Sequence, residues 1–359
     1  MELNNIIFPF MLFCLGYILN KYFLFFLNKN DSKYLIDNQF DKPQAFHQNS
    51  TYRLGGLTIF LTLNIVFLYL YFTKGIFYFE YTSFCIPFFI LGFLDDLKVN
   101  IRPKFRLLIM IGLLITLIIF NKSTIGTIDL EYLDNLMKID IFALFFVVLC
   151  FLFIINGCNL IDGFNGLLSI HTLIIFAVLI FINYKVGFYL GFPYESSFTD
   201  LFFYISLIIF IFLIFNFPKA QIFLGDSGAY LVGILISIST IHTNNHYPEV
   251  SSFFFCILLF YIFFEVFFSF FRKIFVVGQN PLLPDRNHLH MLFYKYLLKK
   301  NKKKITSNYQ VSLYINLIYF LLITPGIIFM DNSIFCRFYF FFLIAIYTYF
   351  YTILYKKVK

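Results

Sequence analysis

Residues 141–166 read IFALFFVVLCFLFIINGCNLIDGFNG. From Ile141 to Ile155 the run carries no charge, and with its flanks it approaches the roughly 20 mostly apolar residues that a helix needs to cross a bilayer. Its far end is not an ordinary loop. Asn156, Asn159 and Asp162 follow at intervals of three, with Gly163 and Gly166 beside them. Residues so spaced share one broad helix face, and the glycines permit a turn and the close approach of a ligand. A polar stripe without partners is costly beside lipid, so it belongs against a cavity or a polar ligand. One Asn alone would read more simply as a helix–helix hydrogen bond; three polar residues with two glycines favour a ligand.

The same apolar pattern recurs on both sides of this segment. Eleven stretches are expected to span, near residues 4–27, 54–73, 81–94, 106–120, 141–157, 166–184, 200–217, 228–242, 251–271, 309–329 and 337–355. The third and fourth are short, which makes ten the alternative count. The expected fold is an all-α polytopic transmembrane bundle, one membrane domain over residues 1–359, since no internal repeat or Pro- or Gly/Ser-rich linker divides the chain. Composition agrees: 60% of residues are hydrophobic and 13% charged, with a mean hydropathy of +0.83, where a soluble domain is roughly half apolar and a quarter charged. The first stretch lacks a basic cluster before it and an A-x-A site after it, so it is expected to remain as a span.

Phe is abundant, at 57 residues, and Trp absent, a compositional bias that carries no functional weight. The six cysteines form no CxxC pair, which argues against a zinc knuckle or a disulfide framework. A formal charge of +8 could suggest nucleic acid, but basic loops on the cytoplasmic side of a membrane protein explain it without one. Those loops also give an orientation. One alternate set holds 21 Lys and Arg, the other holds Lys74, Lys122, Lys138, Lys185 and Arg337, and Lys21 sits at the end of the first stretch. The N-terminus is therefore expected outside and the C-terminus in the cytoplasm.

The remaining polar features fall on the basic side, in loops 28–53, 95–106, 157–166, 217–228 and 272–308. Asp95 and Asp96 end the third stretch; adjacent carboxylates repel unless a cation compensates, although a solvated helix end is an equal reading. Gly225-Asp226-Ser227-Gly228 stands where a helix is about to begin, a place suited to an anion and to the metal it carries, or simply to a helix cap. The last large loop holds Arg286, His288 and His290. If extended, the three point the same way and offer donors to phosphate; if helical, only Arg286 and His290 share a face. The run from Lys299 to Lys304 reads as contact with the lipid surface. His47 and Arg53-Leu54-Gly55-Gly56 add a weak, basic, glycine-linked signal.

In order and loop placement these pieces resemble the polyprenyl-phosphate N-acetylhexosamine-1-phosphate transferases, the MraY/WecA-type superfamily of glycosyl transferase family four. The resemblance runs from His47 to His290. It implies a glycosylphosphotransferase of the bacterial cytoplasmic membrane that uses Mg²⁺, or Mn²⁺, to join a UDP-linked N-acetylhexosamine phosphate to undecaprenyl phosphate, with release of UMP. By this resemblance Asp95, Asp96, Asp226 and His288 are catalytic. Asp226, Asp95 and Asp96 hold metal, and Arg53, Asn156, Asn159, Asp162, Asn165, Arg286 and His290 bind substrate. Three positions depart from the pattern: Asn165 stands where many relatives have Asp, Met291 where a further His is common, and Tyr52 where Pro often precedes Arg. The loop style looks more like the branch that initiates O-antigen, teichoic acid or related surface glycans than the muramoyl-pentapeptide branch, and some relatives are homodimers. An anion transporter is the rival class, but its candidates would lie at mid-membrane on broken helices rather than in loops on one face.

Overall fold

Every one of the eleven apolar stretches is helical in the computed structural model, which describes residues 2–29, 35–37, 50–99, 101–189, 196–280, 285–301 and 303–359. The long helices are α1 (Glu2–Lys29), α2 (Gly55–Lys74), α3 (Phe79–Asp96), α4 (Pro103–Asn121), α6 (Asp140–Ile161), α7 (Leu167–Tyr189), α8 (Ser196–Asn216), α9 (Gly225–His246), α13 (Lys304–Ile328) and α14 (Ser333–Val358). A short α5 (Glu131–Met137) precedes α6, and α12 (Leu289–Asn301) follows the last large loop. The stretch near 251–271 is not one straight span. It divides into α10 (Ser252–Leu258) and α11 (Phe260–Phe271), which runs on into a π-helical turn at Arg272–Val277, and the two parts are bent by 75°.

By length and composition, eight of the described helices can cross a membrane, or nine if the bent pair counts as one. The two that fall short, α3 and α9, explain the difference from eleven. Glu80, Asp95 and Asp96 lower the apolarity of α3, while α9 is rich in Ser, Thr, Asn and Gly and is buried without a break from Ser227 to Thr240. It packs against α2, α3, α6 and α7, so its polar residues meet protein rather than lipid. Tyr81 Oη and Ser239 Oγ, for example, are 3.1 Å apart.

Close approach of α3 to α9 depends on Gly92, where a Cβ would lie 2.5 Å from the Ser227 backbone nitrogen. The pair is antiparallel and closed at both ends. Asp96 meets the start of α9, and at the other end Glu80 pairs with His242 at 2.7 Å. Large apolar side chains face outward along the outer helices, Phe72 of α2 and Phe338 of α14 among them, as expected for surfaces meeting lipid.

One small sheet breaks the all-helical pattern. Strand β1 (Ile36–Asp37) pairs antiparallel with β2 (Thr51–Arg53), and β2 pairs parallel with β3 (Ile222–Phe223), Arg53 lying beside Phe223. It fastens the first loop to the segment that leads into α9. His47 and the proline-bearing residues 281–284 lie outside the described residues.

Candidate functional site

Asp96 ends α3 with both carboxylate oxygens occupied. Oδ1 accepts from the Asp226 amide at 2.9 Å, and Oδ2 from the amide of Ser227 at 3.0 Å and its hydroxyl at 2.6 Å. The first turn of a helix offers unpaired N–H groups and a positive dipole end, which a carboxylate satisfies. The backbone reaches this position through Gly225, whose φ of +77° is left-handed and whose missing Cβ leaves room for Asp96.

Asp226, next along, points differently. Its Oδ1 accepts from Asn159 Nδ2 at 2.6 Å, while Oδ2 has no hydrogen-bond donor among the described residues and Arg53 Nη1 stands 3.9 Å away. Arg53 is delivered by the small sheet. It donates to Asp37 at 2.7 Å and lies 3.6 Å from Asp96. Burial works against its charge, but Asp226 and Asp37 outweigh that and hold the guanidinium above its ordinary pKa. Asp95, beside Asp96 in sequence, turns away to an ion pair with Arg106 of α4 at 2.8 Å.

The carboxylates expected together to hold metal are thus divided by role. Asp95 and Asp96 do not form a facing pair, because successive helical side chains diverge and each finds its own cationic or amide partner. Of the three residues expected to hold metal, Asp96 has both oxygens engaged, while Asp95 and Asp226 each keep one oxygen free of donors among the described residues. Asp95 commits its other oxygen to the ion pair with Arg106, and Asp226 is the one beside Asn159 and Arg53. No group of three or more His, Cys, Asp or Glu among the described residues forms a metal-binding cluster.

Carboxyl groups are nonetheless concentrated here. Asp162, capping the end of α6, is raised well above the ordinary carboxylate range by desolvation and then by the charge of Asp226, with Asp96 adding to it. Three carboxylates share Arg53, which is itself divided with Asp37. A hard divalent cation commonly takes one or two carboxylates and completes its shell with phosphate and water oxygens. The donor-free oxygen of Asp226 in this acidic setting fits such an ion.

The polar stripe of α6 is only partly turned to this cluster. Asn159 reaches it, whereas Asn156 donates back to its own helix at the Leu152 carbonyl, 2.8 Å away. Asn165 ties loops together: its amide donates to Asn308 Oδ1 and its side chain to the Pro218 carbonyl, both at 3.0 Å.

The last loop is neither extended nor helical throughout. Residues 285–288 precede α12, Arg286 is exposed, and His288 and His290 are buried with stacked rings 5.6 Å apart. The three therefore do not point the same way. His288 Nδ1 is 3.1 Å from Glu265 of α11, and His290 Nδ1 is 3.1 Å from Tyr261 Oη. Phe164, two residues beyond Asp162, lies edge-on against His290 at 5.7 Å. Met291, which stands where a further His is common in the family resembled, is fully buried core.

Four partners were not singled out from the sequence as site residues: Asp37, Arg106, Ser227 and Glu265. For Glu265 a signal existed, since it is the single charged residue of the 251–271 stretch, and an ionisable group within a span is a functional candidate by default. The others carry no such mark, because their roles arise only from pairing across the chain.

A helical membrane bundle that gathers an acidic, arginine-bridged cluster at one end of its central helices defines a membrane-embedded site for a charged ligand. The family described as Glycosyl transferase family 4 matches residues 78–244, the portion from α3 through α9. An undecaprenyl-phosphate alpha-N-acetylglucosaminyl 1-phosphate transferase of Thermotoga maritima is 32% identical over 75% of this chain and 78% of its own. A probable undecaprenyl-phosphate N-acetylglucosaminyl 1-phosphate transferase of Bacillus subtilis is 30% identical over 70% of this chain and 68% of its own. A phospho-N-acetylmuramoyl-pentapeptide-transferase of Clostridium botulinum is 26% identical over 54% of this chain and 60% of its own. The chain belongs to glycosyl transferase family 4.

Proposed function

We propose that this protein transfers N-acetylhexosamine-1-phosphate, foremost N-acetylglucosamine-1-phosphate, from a UDP-sugar to undecaprenyl phosphate, giving the lipid diphosphate sugar and UMP. This would be the first membrane step of a surface glycan, at the cytoplasmic face of a bacterial inner membrane. The observation that carries the reading is the cluster of Asp226, Asp96, Asn159 and Arg53 at the start of α9. Higher identity over more of the chain favours the N-acetylglucosaminyl relatives over the muramoyl-pentapeptide ones.

Exchange of one phosphoanhydride for another needs no ATP, and the chain has no GxxxxGK[ST] loop. A phosphate monoester with a second pKa near about 6 is already largely a dianion at pH 7, so the lipid phosphate can attack the β-phosphorus without a strong base. Mg²⁺, when bound, would neutralise charge on the diphosphate. Asp226 would hold it, with Asn159 fixing the carboxylate's orientation. Arg53 and exposed Arg286 supply guanidinium donors to phosphate oxygens, and Asp96 secures the helix end on which Asp226 rides.

The test is purified protein in detergent with undecaprenyl phosphate, Mg²⁺ and a panel of UDP-N-acetyl sugars, with UMP release followed. Lipid-dependent release with one donor supports the transferase. Its absence with every donor, alongside substrate flux in proteoliposomes, would replace it with a transporter.

A further inference from the structure

Glu265 lies in the middle of an otherwise uncharged, Phe-rich helix, the α11 segment FYIFFEVFFSFF, with 1% exposure. A carboxylate there is tolerated only if its oxygens are matched by donors. They are matched from two elements distant in sequence. Oε1 accepts from His288 Nδ1 at 3.1 Å and from the Leu289 amide at 3.0 Å, and Oε2 accepts from Tyr347 of α14 at 2.6 Å. The contacts thus take in the last residue before α12, its first residue and a third helix.

The consequence falls on His288. An ionised carboxylate only accepts, so the proton on that side must sit on Nδ1, and the opposite nitrogen, Nε2, is left as the one available for other chemistry. The ring is held further by its stack on His290, which Tyr261 fixes in turn. We infer that Glu265, braced by Tyr347, is a positioning residue that sets the tautomer and orientation of His288 for phosphoryl transfer. The inference rests on the proposed transferase reading for its catalytic meaning, though the clamp itself can be tested without turnover.

A merely structural role, as glue between α11, α12 and α14, would lower stability and leave the His288 proton and the rate per folded molecule unchanged. The experiment uses the full chain labelled with ¹⁵N-histidine in detergent, with His288→Asn identifying the His288 signals. Wild type should show His288 protonated at Nδ1. Glu265→Gln keeps the volume and removes the carboxylate; it should alter that pattern and lower kcat roughly 10- to 100-fold, as loss of an outer-shell partner commonly does, with KM for the UDP-sugar little changed. Unchanged His288 signals together with a wild-type kcat would overturn the inference. If Glu265→Gln does not fold, Tyr347→Phe, which leaves the carboxylate in place, should lower kcat at constant KM, and a wild-type kcat there would count equally against it. Should wild type itself release no UMP, the transferase reading fails, while the nitrogen signals of wild type and Glu265→Gln still decide the clamp.

Discussion

Asp96 and Asp226 lie within one cluster, yet their hydrogen bonds assign them different work, and substitution should separate them. Asp96 accepts three bonds from the first turn of α9, each a charge-assisted contact worth about 1.5–3 kcal/mol when partners are well placed. Asp96→Asn puts an amide donor against N–H donors, so it should lower the thermal unfolding temperature as well as activity. Asp226→Asn leaves those bonds intact and should abolish UMP release while unfolding at close to the wild-type temperature. Near-normal turnover by Asp226→Asn with Mg²⁺ would remove it from the metal site. These assignments could not be read from the sequence, where Asp95, Asp96 and Asp226 are equivalent carboxylates at helix ends; which oxygen meets an amide and which stays free depends on the approach of α3 to α9.

Two elements position the site and can be disturbed separately. The α3–α9 contact has no space for a side chain at Gly92. Gly92→Ala should therefore cost about 1–3 kcal/mol through overpacking, seen as a lower unfolding temperature, because the obstructing atoms are backbone and cannot swing aside. The last loop is secured by the ion pair of Asp285 with Arg272. Burial would raise Asp285, but the hydrogen bond and charge of Arg272 prevail and hold its carboxyl below the ordinary range. A group with a depressed folded pKa contributes stability above its unfolded value, about 3.9 for Asp, which is lost as pH falls through the folded one. Protease cleavage near residues 285–288 should therefore rise on acidification below about pH 4, and Asp285→Asn should show that sensitivity already at neutral pH. An Asp285→Asn protein that is as resistant as wild type at pH 7 would show that the pair does not secure the loop.

At the scale of the whole molecule, the bundle has two distinct ends. Arg53, Asp96, Asn159, Asp162 and Asp226 gather at one; Glu80 with His242, Lys74 with Asp200, and Arg337 with the Asp129 carbonyl lie at the other. The grouping matches the two sets of loops separated by their Lys and Arg content. Single cysteines placed at exposed Lys98 and Lys138 should report the orientation: in intact cells a membrane-impermeant maleimide is expected to label position 138 and not 98. The reverse pattern would put the acidic cluster outside. By itself the sequence determined the helical membrane bundle, the positions of its eleven apolar stretches and the motifs bearing Asp96, Asp226, Asn159 and His288, because apolar length, glycine and charge at helix ends act locally along the chain. Only the tertiary structure decided that α9 is a buried core helix, that α10 and α11 are sharply bent, that Arg53 is carried in by a small sheet, and that Glu265 lies behind His288. Each of those is a pairing between distant segments, and the free energy that selects a pairing resides in contacts no single segment contains.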